Sequence, residues 1–440
     1  MLAFLLELEA WWKGGRFFPF AAFMLFIWIL WLVRIQLVRY YRPWRKSWHG
    51  TTSVIIPVVD EPLDLFRAVL ERIAKQGPTE IIVVINGPRN PPLEQVCEQV
   101  GVAWFWTRVP GKRNAVRIGV EASSGEITVL VDSDTVWTDA TLGELVKPFR
   151  DPKVGGVTTR QRIFDPERSL LTRWADWLEN VRAEYSMPAM SVLGTVGCLP
   201  GRTIAFRRSI LAECMDRFMS EKFLGVFIEV SDDRTLTNYT LKAGYKCVYQ
   251  SSSLVYTDAP LKLRKLIKQQ ARWARGSQYN TLRMLPWMLR RARFLALFYL
   301  TDIVVPFVLI GTFVSWIYAF ALRLHRPSIY YEVALPANRI ESVTTLLLLT
   351  VVMSLISISI RFGRHFAYRP RDILYLPLFM AINTFLLLPV RLYGFFGMAR
   401  NASWGTRSDS YQGQRSRNPK AVIPYLLGIL MMYGAVRMSV

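Results

Sequence analysis

The sequence predicts an α/β domain with a mostly parallel sheet and helices on both faces, fused to an α-helical transmembrane region with interfacial helices. Three observations predict it. Polar, charge-bearing sequence fills residues 40–293 of the 440, and long apolar runs lie on either side. Inside that block, short apolar strands alternate with helical patterns, as in parallel strands covered on both faces. The 55 Lys and Arg against 33 Asp and Glu give a net charge of +22, densest at residues 34–46, 262–293 and 361–371, where the apolar runs begin or end. That placement fits a membrane surface and argues against a nucleic-acid reader.

Residues 1–16 carry Glu7 and Glu9 among apolar positions and lack the basic start and cleavage site of a secretory signal; they read as an interfacial segment. Residues 17–38 are apolar enough to cross a bilayer. Arg34, Arg39, Arg42, Arg45 and Lys46 then place the next domain in the cytoplasm. The soluble block opens with the strand S-V-I-I-P-V at 53–58, stopped by Asp60-Glu61-Pro62. Helical spacing over 63–76 leads to a second strand, I-I-V-V-I at 81–85, ended by Asn86-Gly87-Pro88. A helix near 93–100, a strand at 103–106, the turn P-G-K-R-N-A, a helix through Ala122 and a strand at 127–131 follow. Ligands of such sheets bind at the carboxyl ends of the strands. Asp60, Asn86, Lys112 and the D-S-D at 132–134 all fall at or after those ends.

Beyond the block, residues 261–293 are basic and amphipathic and read as one or two helices on the cytoplasmic membrane surface. Further spans are expected at 294–322, 342–360 and 421–436. Residues 372–398 are apolar but broken by Pro377 and Pro389, and a polar segment fills 399–420. Cys97, Cys198, Cys214 and Cys247 are widely spaced without any C-x-x-C, which predicts free thiols rather than a zinc site or disulfides.

Several side-chain clusters could carry chemistry. Asp132 and Asp134 follow a strand, where two carboxylates can hold a divalent cation and leave room for diphosphate oxygens. The plainer reading, a cap for the next helix, loses ground because Thr138 or Asp139 supplies a separate start. Lys112 and Arg113 on a glycine turn can meet phosphate, or simply be solvated. Asp232 and Asp233 open a helix-like run, so one can serve as cap and the other as base, since neighbouring carboxylates resist joint ionisation. Gln269 and Arg272 share a helical face beside Trp273, which suits either a sugar-binding cluster or a membrane-interface anchor.

In order, V-I-I-P-V, G-K-R-N-A, D-S-D, S-D-D-R-T-L-T-N, Q-Q-A-R-W and S-W-G-T-R (403–407) make the chain resemble the processive family 2 glycosyltransferases of the hyaluronan, chitin and cellulose synthase type, over residues 50–410. Within that family, P-V-V-D-E-P, V-I-N-G-P, G-G-V-T-T-R-Q and V-G-C-L-P-G-R-T-I-A-F-R most resemble the pneumococcal type 3 capsular polysaccharide synthases, which polymerise glucose and glucuronic acid alternately. The resemblance implies a cytoplasmic GT-A-type domain at 50–260 in a multi-pass plasma-membrane protein. Asp60 would lie near the uracil of a UDP-sugar, and Lys112 and Arg113 would contact the nucleotide. Asp134, with Asp132 beside it, would coordinate Mg²⁺ or Mn²⁺ on the diphosphate. Asp233 would be the general base, with Asp232 a supporting carboxylate. Gln269, Arg272 and Trp273 match Q-x-x-R-W, with the tryptophan stacking on the acceptor sugar. Trp404, Gly405, Thr406 and Arg407 match a loop that closes over the nucleotide. Asn86 departs from the usual acidic residue and puts base binding there in doubt.

The implied product is an acidic capsular-type polymer made from UDP-glucose and UDP-glucuronic acid and secreted through the chain's own channel, with a lipid primer as a candidate partner. Arg160, Arg162 and Arg202 are candidates for the glucuronate carboxylate, or ordinary surface arginines. If 372–398 crossed the bilayer fully, residues 404–407 would face away from UDP, so this segment is expected to be re-entrant or interfacial. A hyaluronan- or chitin-type synthase using UDP-GlcNAc is the alternative. A non-processive lipid-carrier transferase is disfavoured by the Q-x-x-R-W and W-G-T-R motifs.

Overall fold

The computed structural model describes residues 19–322, 339–399 and 419–438. The expected N-terminal segment at 1–16 and nearly all of the loop at 399–420 therefore lie outside the described residues. The first four strands form where apolar runs and turn residues predict them: β1 Thr52–Val58, β2 Glu80–Asn86, β3 Ala103–Thr107 and β4 Ile127–Val131. They are followed by β5 Val136–Trp137, β6 Val154–Ile163, β7 Thr203–Arg207, the small hairpin β8 Lys222–Phe223 and β9 Val226–Phe227, and β10 Lys246–Thr257.

Eight strands make one sheet in the order β3-β2-β1-β4-β7-β6-β10-β5. Strand β1 runs parallel to β2 and β4, β2 to β3, and β6 to β10. The parallel run is interrupted where β7 enters antiparallel between β4 and β6, and β5 closes the edge antiparallel to β10. All seven residues of β1 are buried, because alternate side chains serve two different cores. Ile55, Ile82, Val84, Leu130 and Ile204 face one layer together with Val116 and Leu211 from the helices Lys112–Ala122 and Arg208–Met219. Val54, Ile56, Val83, Ile85 and Val129 face the other, with Phe66, Leu93 and Leu142 from the helices Leu63–Ala74, Pro91–Val100 and Thr141–Val146. Burying a branched side chain of this kind stabilises by about 1.5–3 kcal/mol, so a sheet covered on both faces needs near-continuous apolar strands. The mostly parallel sheet with a core on each face is the α/β arrangement the sequence predicts.

Four segments among the described residues are long and apolar enough to cross a membrane: Ala22–Tyr40, Arg293–Ser315, Pro370–Gly397 and Pro419–Arg437. A further helix, Arg339–Arg361, occupies the expected span at 342–360. Residues 370–397 are broken into a 3-10 turn Pro370–Tyr375, a helix Leu376–Ala381, a π turn Ile382–Leu387 and a helix Leu388–Gly397. The basic amphipathic stretch forms one helix, Leu263–Arg291, with Pro286 inside it.

Small residues let the interface helix sit close to its neighbours. A Cβ built on Gly394 would stand 2.7 Å from the Ala274 Cβ, and one on Gly276 would stand 2.7 Å from Ser231 Oγ and 2.8 Å from Ser231 Cβ. Ser231 itself has φ +69°, in the left-handed region, where a side chain is strained. Gly276→Val should therefore lower the stability of the detergent-solubilised protein by about 1–3 kcal/mol, read as a lower thermal midpoint. Ser231→Gly removes the strain and should hold or raise the midpoint. A Gly276→Val protein as stable as the wild type would show that this approach can relax freely.

Candidate active site

The antiparallel entry of β7 builds the site. Its first residue, Thr203, pairs with Val131 at the carboxyl end of β4, so the loop before β7 lies beside the D-S-D turn. The Asp132 N–H donates to the Arg202 carbonyl at 3.1 Å. One residue earlier, the Gly201 N–H donates to Asp233 Oδ2 at 3.1 Å. The other Asp233 oxygen accepts the Arg234 N–H at 2.7 Å. A Cβ on Gly201 would stand 3.4 Å from the Asp233 Cβ and 3.7 Å from Lys112 Nζ. One short loop thus gathers a lysine, the D-S-D turn and the second acidic pair.

These groups line a cavity of about 660 Å³. Lys112, Asp132, Asp134, Asp232 and Asp233 line it, and so do Gln269, Arg272 and Trp273 of the interface helix. Two apolar helices complete the lining, with Arg34 from Pro19–Tyr40 and Phe298, Tyr299 and Asp302 from Arg293–Ala321. Trp273 is 37% exposed, as an aromatic platform for a ligand must be.

Electrostatically the cavity pairs a dense acidic side with fixed cations. Lys112 contacts Asp132. Burial acts to lower the Lys112 ammonium, but the facing carboxylates of Asp132, Asp232 and Asp233 outweigh it and hold its pKa above the usual value. Burial, then the charges of Asp132 and Glu61, push Asp134 up to about 6. Such crowding favours a cation, and Asp132 and Asp134 are the carboxylates that could share one. Among the described residues no cluster of three or more His, Cys, Asp or Glu side chains could hold a metal ion.

Three placements differ from the sequence expectation. Arg113 does not reach the cavity: it is 2% exposed and donates to Asp232, Glu221 and the Phe218 carbonyl. Successive residues on a helix point about 100° apart, so with Lys112 in the cavity Arg113 faces inward. Asp60 lies on the exposed surface, while its neighbours Val59 and Glu61 line the cavity. Neither Asp232 nor Asp233 is the cap residue, since Ser231 occupies that position without a side-chain cap bond. Of the arginines considered for glucuronate, only Arg202 lines the cavity, paired with Glu179 at 2.9 Å and with Gln161. Arg160 pairs with Glu184 and Arg162 with Asp176. Trp404, Gly405, Thr406 and Arg407 lie outside the described residues.

Residues 49–276, more than half the chain, match the family model described as glycosyltransferase like family 2. The chain belongs to glycosyltransferase family 2. Hyaluronan synthase of Streptococcus pyogenes serotype M3 is 26% identical to this glycosyltransferase over 390 residues, covering 86% of this chain and 88% of the relative. An N-acetylglucosaminyltransferase of Rhizobium meliloti is 31% identical over 258 residues, 56% of this chain and 59% of the relative. A mannosyltransferase of Pyrobaculum calidifontis, solved with GDP-Man and Mn²⁺, superposes with a TM-score of 0.47 at 18% identity, covering 84% of this chain and 98% of that one.

Two side chains of the glycosyltransferase brace the site in ways their sequence patterns did not indicate. Asn86, departing from the usual acid, is 2% exposed; its amide donates to the Val58 carbonyl and its oxygen accepts the Gly111 N–H at 3.3 Å. It fixes the end of β1 to the glycine turn. Arg234, the fourth letter of S-D-D-R, donates to the Ser277 carbonyl at 2.9 Å and to Thr281 at 2.7 Å, and its Cζ lies 4.1 Å from the Tyr299 ring centroid. Only its position beside the acidic pair could have singled it out.

Behind the acidic pair, Glu229 is buried and one of its oxygens has no hydrogen-bond partner. Burial, then Asp232, push its pKa up to about 8 against the pull of Arg113. The folded protein keeps this proton up to about pH 8, whereas an unfolded chain releases it near 4.5. Stability should thus fall as pH rises between those values and level off above them. Glu229→Gln mimics the protonated form, so its thermal midpoint should decline less over that interval than the wild type's. Parallel curves for the two proteins would exclude Glu229 as the titrating group.

Proposed function

We propose that this glycosyltransferase is a membrane-embedded, processive, inverting polysaccharide synthase that joins glucose from UDP-glucose and glucuronic acid from UDP-glucuronic acid into an acidic, capsular-type polymer of cellobiuronic acid repeats. The observation that carries the reading is the shared cavity, lined both by Asp134 and Asp233 and by Arg34, Tyr299 and Asp302 of the apolar helices. A product made at Asp233 is already at the entrance to the membrane region, which favours secretion through the same chain. Charged side chains on apolar helices are retained where they face a polar cavity.

Asp233 is the base in this reading. Its two oxygens accept the N–H groups of Gly201 and Arg234, which aim the carboxylate while leaving lone pairs for an acceptor hydroxyl. It removes the acceptor proton as that oxygen attacks the anomeric carbon from the face opposite UDP, inverting it. Asp132 and Asp134 would hold Mg²⁺ or Mn²⁺, which when bound neutralises charge on the diphosphate. Lys112 and Arg272 would supply positive charge to the same cavity. Trp273 offers its face to the acceptor sugar, with Gln269 beside it. The loop containing Trp404, Thr406 and Arg407 would close over the nucleotide, and Asp60 would remain at the base-binding edge.

For that loop to reach UDP, the 372–398 segment must return to the cytoplasmic side. Both of its ends pack on cytoplasmic elements in this reading: Asp372 accepts from Arg173 at 2.7 Å and Phe379 stacks on Trp177 at 5.1 Å, while the Arg391 carbonyl accepts from Gln278 of the interface helix at 2.9 Å. Its length would allow a crossing, but these attachments support a re-entrant path at the plasma membrane, with the catalytic domain cytoplasmic.

A hyaluronan-type product is the second reading, supported by the similarity to hyaluronan synthase over 86% of this chain and 88% of the relative. Of Arg160, Arg162 and Arg202, Arg202 lines the cavity and is the one placed to meet a glucuronate carboxylate. Purified protein given pairs of radiolabelled UDP-sugars, followed by linkage-specific glycosidases, separates the readings: polymer from UDP-glucose with UDP-glucuronic acid, resistant to hyaluronidase, is expected. Hyaluronidase-sensitive polymer requiring UDP-GlcNAc would establish the second. Asp233→Asn should bind UDP normally yet lose on the order of 10²–10⁴-fold in polymer synthesis; near-normal synthesis would remove Asp233 from the role. In reconstituted vesicles, polymer should collect on the side opposite the UDP-sugar, and polymer confined to the substrate side would refute secretion.

A further inference from the structure

The Gly111 turn sends two adjacent cations in different directions. Lys112 enters the cavity and pairs with Asp132. Arg113 uses its guanidinium on the interior: Nε donates to Asp232 Oδ1 at 2.9 Å, one terminal nitrogen to the Phe218 carbonyl at 2.6 Å, and the other to Glu221 Oε2 at 2.8 Å. The Phe218 ring lies 4.6 Å from its Cζ. Glu221 also accepts the Thr235 hydroxyl at 2.9 Å and pairs with Arg283 of the interface helix. Loop, acidic pair and interface helix therefore meet at one buried fork.

The helix Asp232–Lys242 needs such a support at its start. Its cap residue, Ser231, has a left-handed backbone and makes no side-chain cap bond. The bond from Arg113 to Asp232 instead fixes the first residue of this helix, directly before Asp233. A guanidinium can bridge two carboxylates and a carbonyl because its five donors form a rigid planar fork, which a lysine lacks.

We propose that Arg113 is a positioning residue: through Asp232 it holds the start of the helix Asp232–Lys242 and so places the Asp233 carboxylate beside Gly201 and Lys112, without touching nucleotide. The inference rests on the reading of Asp233 as the base. Because Lys112 and Arg113 are consecutive on one helix, a displacement of that helix moves the donor side and the base side of the site together.

The test uses the full-length protein in nanodiscs, with UDP release measured on whichever donor pair the wild type turns over and UDP affinity measured by calorimetry. Arg113→Met should lower kcat on the order of 100-fold, as a misplaced reacting group does, while the donor KM and UDP affinity stay at wild-type values. Arg113→Lys should recover part of the loss. The double variant Arg113→Met with Asp232→Asn should be no slower than the slower single variant. Weakened UDP affinity with kcat retained would make Arg113 a nucleotide contact, and losses that multiply in the double variant would show that the two residues act separately; either result overturns the proposal. If Arg113→Met does not fold, Asp232→Asn alone decides: lowered kcat with unchanged UDP affinity supports the proposal, and full kcat overturns it. Asp233→Asn separates the two levels. An active Asp233→Asn protein sinks the base assignment itself, whereas an inactive one beside an unimpaired Arg113→Met protein sinks only the positioning role.

Discussion

The geometry of the site depends on two hydrogen bonds made by neighbouring residues of one short loop. The Arg202 carbonyl accepts from Asp132, and the Gly201 N–H donates to Asp233. The two acidic motifs are about a hundred positions apart in sequence, yet their spacing is fixed by a single peptide step because β7 enters antiparallel beside β4. Backbone groups make good anchors here, since the sheet already holds them and they lose no rotamer freedom when they bind a carboxylate. Gly201 is small enough for Lys112 and Asp233 to close around it, and any side chain there would take space from the cavity.

The first half of the sheet was legible because β1, β2 and β4 are buried on both faces, and such strands must be apolar throughout. The later strands left weaker signals. Strand β7 is short and its direction is decided by its partners, while β10 carries an irregularity between Gln250 and Leu254 where its pairing with β6 shifts. The chemistry-bearing residues were legible as types and spacings: Lys112, Asp132, Asp134, Asp232, Asp233, Gln269, Arg272 and Trp273 do converge on one cavity. Side-chain direction was not legible. Lys112 and Arg113 look equivalent as a basic pair, and only the helix that begins there sends one outward and the other inward. Asn86 looked like the loss of an acidic function, whereas its two bonds fill a structural role that needs both an acceptor and a donor.

Contact between the transferase and the apolar helices is more intimate than a tether requires. Arg34 donates to Ser186 at 3.3 Å and stacks 4.5 Å from the Phe298 ring centroid, so two membrane-side helices and the transferase meet at one side chain. Nearby, His365 bonds Asn180 and Asp372, each at 2.9 Å, and all three are buried. Buried polar groups of this kind stabilise only when fully partnered, and here the partners come from both sides of the junction. The apolar helices are therefore part of the scaffold that shapes the cavity.

Arg234 shows what this means for the boundaries of the enzyme. The stretch that defines the family ends at residue 276, and the hydrogen-bond partners of Arg234 begin at Ser277 and continue to Thr281, with Tyr299 stacked beyond. A fragment cut at the family boundary would keep every acidic motif but strand a buried guanidinium next to Asp233, and a buried charge without partners is strongly destabilising. The evolutionary module and the working unit do not coincide. In this protein the transferase borrows its last wall from the membrane helices, so swapping either part alone between relatives would carry half a joint.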